Sequence, residues 1–194
     1  MGRTDSMPEA HGLNKIIRPL RYHEASRQWF AVVFVLLVSL LGQPTQQMLI
    51  AGGVVALVGT LIRLWASGHV KKNKVLATDG PYAYVRHPLY VGNILILAGC
   101  SMASMLWWSF PLMIFLILFY YPAAISYEDN KLKNSFGEQW ESWSKDIHAL
   151  IPSFSKKAGS ASSDWSFKQS LFQNLEPVIV LYLIWCIYML YAKL

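Results

Sequence analysis

The chain has 194 residues, 54% of them hydrophobic and 14% charged, with a net charge of +6. Soluble domains carry about 25% charged residues, so this balance excludes an ordinary soluble globule, and the length allows one domain with appendages. The two cysteines, Cys100 and Cys186, both fall in apolar runs, which argues against a disulfide-built fold.

Residues 1–28 form a basic head that reads as an interfacial segment lying on a membrane. No small-residue cleavage site follows the first apolar run, so a secretory signal is not expected. Residues 29–66 read as a transmembrane hairpin, with apolar runs at Trp29–Leu41 and Met48–Ile62 joined by Gln43-Pro44-Thr45-Gln46-Gln47. Arg63 and Trp65 would extend the second helix into the headgroup layer, Arg63 by snorkelling.

From Leu89 to Tyr127 the chain runs 39 residues without an Asp, Glu, Lys or Arg. One span needs about 20 residues, so this run predicts a second hairpin turning near Ser101–Ser109. Glu128 to His148 has Leu132, Phe136, Trp140 and Trp143 at helical spacing, with both tryptophans expected as interfacial anchors. A flexible linker follows Ile151-Pro152. Ser163 or Asp164 then caps a short helix, and a last span runs from Pro177 to Ala192.

Basic residues cluster in the head (five), between Ser67 and Pro88 (four) and between Glu128 and Glu176 (six), with none in the two intervening turns. That alternation predicts an all-α integral membrane protein of about five spans, N-terminus inside and C-terminus outside. The positive charge then reports topology and anionic headgroups, and no nucleic-acid partner is expected. In domain terms, 1–28 is the head, 29–66 the first hairpin, 67–152 the core, and 153–194 the linker and last helix.

The chain lacks a dinucleotide-binding glycine motif, a P-loop and a nucleophile elbow, and its five histidines show no metal-ligand spacing. Two polar constellations stand out instead. Pro88 suits the first turn of the third helix, whose free amides and positive dipole end face the inside interface. Arg86 and His87 precede it, Gly92 allows close backbone approach and Asn93 supplies an amide, so a carboxylate or phosphate would be held there. Arg, Pro and the tyrosines Tyr82, Tyr84 and Tyr90 also suit an ordinary membrane anchor and aromatic belt.

Glu128 and Asp129 close the fourth span. Two adjacent carboxylates at a helix C-terminus oppose the dipole and suit a cationic partner, although a solvated helix end has the same composition. Pro122 upstream would kink the helix. A ligand with both an amino cation and a carboxylate would fit between the two constellations.

Gly80-Pro81-Tyr82 with Arg86-His87-Pro88-Leu89-Tyr90-Val91-Gly92, followed by Glu128-Asp129, Leu132, Phe136-Gly137, Trp140, Trp143 and Ile151-Pro152, resembles the isoprenylcysteine carboxyl methyltransferase family over roughly residues 70–152. The wider superfamily includes phospholipid N-methyltransferases and sterol reductases. The resemblance implies S-adenosylmethionine as cofactor, S-adenosylhomocysteine as product, and a pocket at the inside membrane face. It places cofactor contacts on Lys74, Val75, Leu76, Ala77, Tyr82, His87, Pro88, Leu89 and Tyr90, and puts Glu128 at the reaction centre. Arg86 and Asp129 beside them join the expected site, with no metal. Members acting on prenylated proteins carry an arginine four residues before that glutamate; here the position is Ala124.

The expected reaction is methylation of the C-terminal carboxylate of a prenylated cysteine, or of a small analogue entering from the bilayer. Methylation of a lipid amine is the alternative, and a non-catalytic membrane scaffold the third reading. A reductase is disfavoured because its relatives have more spans.

Overall fold

The computed structural model describes residues 24–70, 75–153, 165–172 and 176–194. Every regular element among them is helical: α1 (Glu24–Leu41), α2 (Gln46–His69), α3 (Pro88–Ser104), α4 (Ser109–Phe136), α5 (Glu138–Ser144), α6 (Phe167–Phe172) and α7 (Glu176–Tyr191), with a 3-10 turn at Gly80–Ala83. Most of the basic head, Lys74, and the linker with Ser163 and Asp164 lie outside the described residues.

The helices outrun the apolar runs that announce them. Thr45 starts α2 by accepting a hydrogen bond from the Met48 amide at 3.4 Å. At 24 and 28 residues, α2 and α4 are long and apolar enough to cross a bilayer; Ser26–Leu41, Pro88–Ser104 and Glu176–Tyr191 are shorter apolar helices. Two helices therefore meet the span length unaided, where five spans are expected from the sequence.

Chain direction alternates through the bundle. At one end the Gln43 amide donates to Ser104 O at 3.0 Å. There too, Lys193 Nζ donates to Ser39 O at 2.9 Å, Leu40 O at 2.5 Å and Gly42 O at 3.2 Å. The C-terminal ends of α1, α3 and α7 thus meet. At the other end, Arg27 near the start of α1 meets Tyr90 near the start of α3, and Arg63 late in α2 meets Glu176 at the start of α7. So α1, α3 and α7 run one way, and α2 and α4 run back.

The tightest seam is between α2 and α3, built from small residues. A Cβ added to Gly52 would lie 2.3 Å from Gly99 O, and one on Gly59 would lie 2.6 Å from Gly92 O. Backbones this close are the usual contact of membrane helices, where packing must replace the hydrophobic effect. Beside the seam, Phe34, Val38, Leu97, Met113 and the free thiols Cys100 and Cys186 form a buried cluster. Outward faces are apolar, with Leu118 65% and Leu181 67% exposed, which suits hydrocarbon surroundings.

Three local expectations need correcting. Arg63 does not snorkel. It is buried, with Nη2 2.7 Å and Nε 3.2 Å from the two oxygens of the fully buried Glu176, and Nη1 2.5 Å from Asn93 Oδ1. α4 continues through Pro122 to Phe136 and stops at Gly137, whose φ of +51° leaves the helical region, so Glu128 and Asp129 stand about two turns inside it. Trp143 is not an interfacial anchor: it is 8% exposed and packs with Ala66, Leu76, Tyr82 and Ile147.

Candidate active site

The Arg86-His87-Pro88 motif is held from outside its own helix. The Arg86 and His87 amides donate to His148 O at 2.9 Å and Ala149 O at 3.1 Å, and the Ser153 amide donates to Tyr84 O at 2.7 Å. The irregular strap after α5 thereby fixes the loop leading into α3. Pro88 then starts α3 where its missing N–H costs nothing. Further upstream, Gly80 has φ +56° and presses on His69, whose Nε2 would lie 2.4 Å from an added Cβ. That turn buries Tyr82 against Leu76 and Trp143.

Asp129 joins both halves of the motif: its Oδ1 is 3.0 Å from His87 Nε2 and its Oδ2 3.0 Å from Arg86 Nη1. Glu128 lies one residue back, about 100° around the helix, and its Oε2 is 3.5 Å from His87 Nδ1. The Tyr90 hydroxyl donates to Glu128 Oε1 and accepts from Arg27 Nη1 at 2.9 Å. The Tyr90 ring stacks on His87 at 5.5 Å and lies 4.8 Å beneath the Arg27 guanidinium. Five ionic groups from α1, the motif and α4 thus form one chain of contacts.

Burial pulls the His87 imidazole down. The hydrogen bonds to Asp129 and Glu128, together with their charges, more than reverse this and hold it above its ordinary value of 6.5. With a carboxylate at each ring nitrogen, the imidazolium is the form this site stabilises. Burial, and next the charge of Glu128, push the Tyr82 phenol up, so it remains a neutral donor.

A cavity of about 800 Å³ opens beside this network, within the range of small-molecule sites. Of the expected contacts, Val75, Leu76, Ala77 and Tyr82 line one wall, and His87, Leu89 and Tyr90 another; Asn93, Arg86 and Glu128 also reach it. Pro88, Gly92 and Asp129 do not. Pro88 is buried in the helix start and Asp129 works through Arg86 and His87. Gly92 faces α2, with Gly59 O and Arg63 Cγ where its side chain would be, so its smallness serves helix packing. Ala124 is buried beside Tyr90 and Tyr121.

Sequence reasoning missed Arg27, Arg63 and Trp143, all of which line the cavity. It also missed the apolar extension, where Val35 of α1, Ile96 of α3, Leu116 of α4, and Ile179 and Leu183 of α7 continue the cavity away from the charged end. The one local signal was the spacing of Arg27, Ala31 and Val35 on a single helical face.

A charged end that runs into an apolar pocket, inside a bundle whose outward faces are apolar, is the character of a membrane protein with a two-part cavity. Comparison with known proteins agrees. The phospholipid methyltransferase family matches residues 47–139. The cobalt-zinc-cadmium resistance protein CzcN of Cupriavidus metallidurans is 32% identical over 75% of this chain and 71% of its own length. The nickel-cobalt-cadmium resistance protein NccN of Alcaligenes xylosoxydans xylosoxydans is 31% identical over 66% of this chain and 64% of its own. Protein-S-isoprenylcysteine O-methyltransferase of Schizosaccharomyces pombe is 36% identical over 42% of this chain and 36% of its own. No solved structure matches. The chain belongs to the phospholipid methyltransferase family, which takes in the isoprenylcysteine methyltransferases and the CzcN-like proteins.

Proposed function

We propose that the chain is an S-adenosylmethionine-dependent methyltransferase that esterifies the carboxylate of a lipophilic, prenylcysteine-like acceptor and releases S-adenosylhomocysteine. The observation that supports this best is the charge at the mouth of the cavity. Arg27, Arg86 and His87 line it there with Glu128, and Asp129 stands behind Arg86 and His87, while the far end is apolar. Such an arrangement favours an amphipathic anion.

The donor set fits the cofactor: an aromatic and aliphatic wall for a flat base, N–H groups for a carboxylate, and a carboxylate for a cation. Val75, Leu76, Ala77, Tyr82, His87, Leu89 and Tyr90 would hold it. When bound, S-adenosylmethionine supplies a methyl group already activated on a sulfonium. Glu128 would face the cationic centre, its orientation fixed by Tyr90 and His87. A carboxylate acceptor is ionised at neutral pH, and His87, engaged at both ring nitrogens, need not act as a base. The protein's contribution is alignment and removal of water from the reacting atoms. On the positive-inside pattern of the basic residues the site would lie at the cytoplasmic face, reached by the acceptor's tail from the bilayer.

N-methylation of a lipid amine is the second reading, favoured by the family match and by Glu128 as a partner for an ammonium group. That ammonium would first have to lose a proton. Purified protein, labelled S-adenosylmethionine and a panel of prenylcysteine, phosphatidylethanolamine and sterol acceptors would separate the two. The expected result is label on the prenylcysteine acid in a form released by mild alkali, as esters are. Alkali-stable label on the amine would replace the first reading with the second.

A further inference from the structure

We propose that α1 is the helix that reads the acceptor, and that Arg27 holds the acceptor's anionic oxygen beside Glu128; this rests on the methyltransferase reading above. Arg27, Ala31 and Val35 stand at i, i+4 and i+8 and all line the cavity, so they form one face of α1. Arg27 is at the charged mouth and Val35 in the apolar extension, a helical rise of about 12 Å between them. A charged head joined to a hydrocarbon tail would lie along that face without bending.

The neighbouring cations have other duties. Arg63 is paired with Glu176 and Asn93, and Arg86 with Asp129. Lys131, which also lines the cavity, is an exposed side chain. The described contacts of Arg27 are instead with the neutral Tyr90, through its hydroxyl and its ring face. A guanidinium has five N–H donors in a rigid fork. The Tyr90 hydroxyl takes one and so sets the fork's orientation. The same hydroxyl donates to Glu128, which puts any anion on Arg27 within a side chain's reach of the carboxylate at the reaction centre.

The anionic oxygen can belong to a carboxylate on a prenylated cysteine or to a phosphate on a phospholipid. Both are tested by pairing a charged ligand with its neutral counterpart: N-acetyl-S-farnesylcysteine against its carboxamide, and lysophosphatidic acid against monoacylglycerol. Each competes for purified wild type, Arg27→Gln and Arg27→Lys in detergent. Wild type is expected to prefer the charged member of one pair. Arg27→Gln should lose that preference by about tenfold, as for a charge-assisted hydrogen bond, and Arg27→Lys should keep part of it. S-adenosylhomocysteine affinity, read by calorimetry, should be unchanged in both variants. The pair that shows the effect identifies the head group.

An unaltered preference in Arg27→Gln would overturn the proposal. So would equal weakening of charged and neutral ligands, which would assign Arg27 to packing. If wild type transferred no methyl group to any acceptor, the methyltransferase reading would fail, yet this binding comparison would still be readable.

Discussion

Asp129 carries more of the site than its distance from the cavity suggests. It grips Arg86 and His87 together, whereas Glu128 faces the cavity through a network ending at Arg27. Glu128→Gln should lower turnover at least about tenfold, equal to about 1.4 kcal/mol of barrier, with cofactor affinity little changed because the loss falls in the transition state. Parallel loss of turnover and affinity would reassign Glu128 to cofactor binding. Asp129→Asn should be read in a pH series. Because the folded-state value of His87 lies above 6.5, its ion pairs stabilise fully below about pH 6.5 and are lost as pH rises through that raised value. Wild type should therefore lose melting temperature over that window, and Asp129→Asn should show a flatter profile. Parallel profiles would mean that the imidazole does not titrate with folding. The motif and the acidic pair were legible because helix starts and paired carboxylates are local signals. Arg27 was far harder to read, since its spacing with Ala31 and Val35 is a faint signal and its partner Tyr90 lies 63 residues away.

The helices themselves were easy to find and hard to bound. α4 was expected to end at its first charges, but Lys131, Leu132 and Lys133 are good helix formers, so it runs on to Gly137. The α2–α3 seam left no hydropathy trace, because glycine is neither strongly apolar nor polar. Its energetic importance is nonetheless testable. A methyl group added at Gly99 would lie 2.5 Å from both Ala56 N and Gly52 O, and backbone cannot yield as a flexible side chain does. Gly99→Ala should destabilise the bundle by about 1–3 kcal/mol, seen as earlier thermal unfolding in detergent. Gly53→Ala, with nothing within 4 Å of the added carbon, should leave stability near wild type or raise it slightly. If both variants melted alike, the seam would not be the close contact described above.

Across the whole molecule, alternating helix direction puts Thr45 and Trp107 at one end of the bundle and Lys145, beyond α4, at the other; all three are exposed. Native Cys100 and Cys186 are buried and should stay silent to a polar thiol reagent. Cysteines at Thr45 and Trp107 should then be labelled from outside the cell and one at Lys145 only from within, as the basic-residue pattern predicts. Labelling of all three from one side would defeat the five-span topology. The placement of Arg63 was beyond any local reading, because its carboxylate arrives 113 residues later. That interval has a consequence for biosynthesis. Arg63 is synthesised well before Glu176, and an unpaired guanidinium is costly at bilayer depth. Until α7 emerges, Arg63 has the amide of Asn93 on α3 but no carboxylate to balance its charge, which favours keeping that end of the nascent α2 near water. Synthesis of Glu176 is then the event that lets Arg63 settle, so the wall Arg63 lends the cavity is finished only after α2, α3 and α4 have been made.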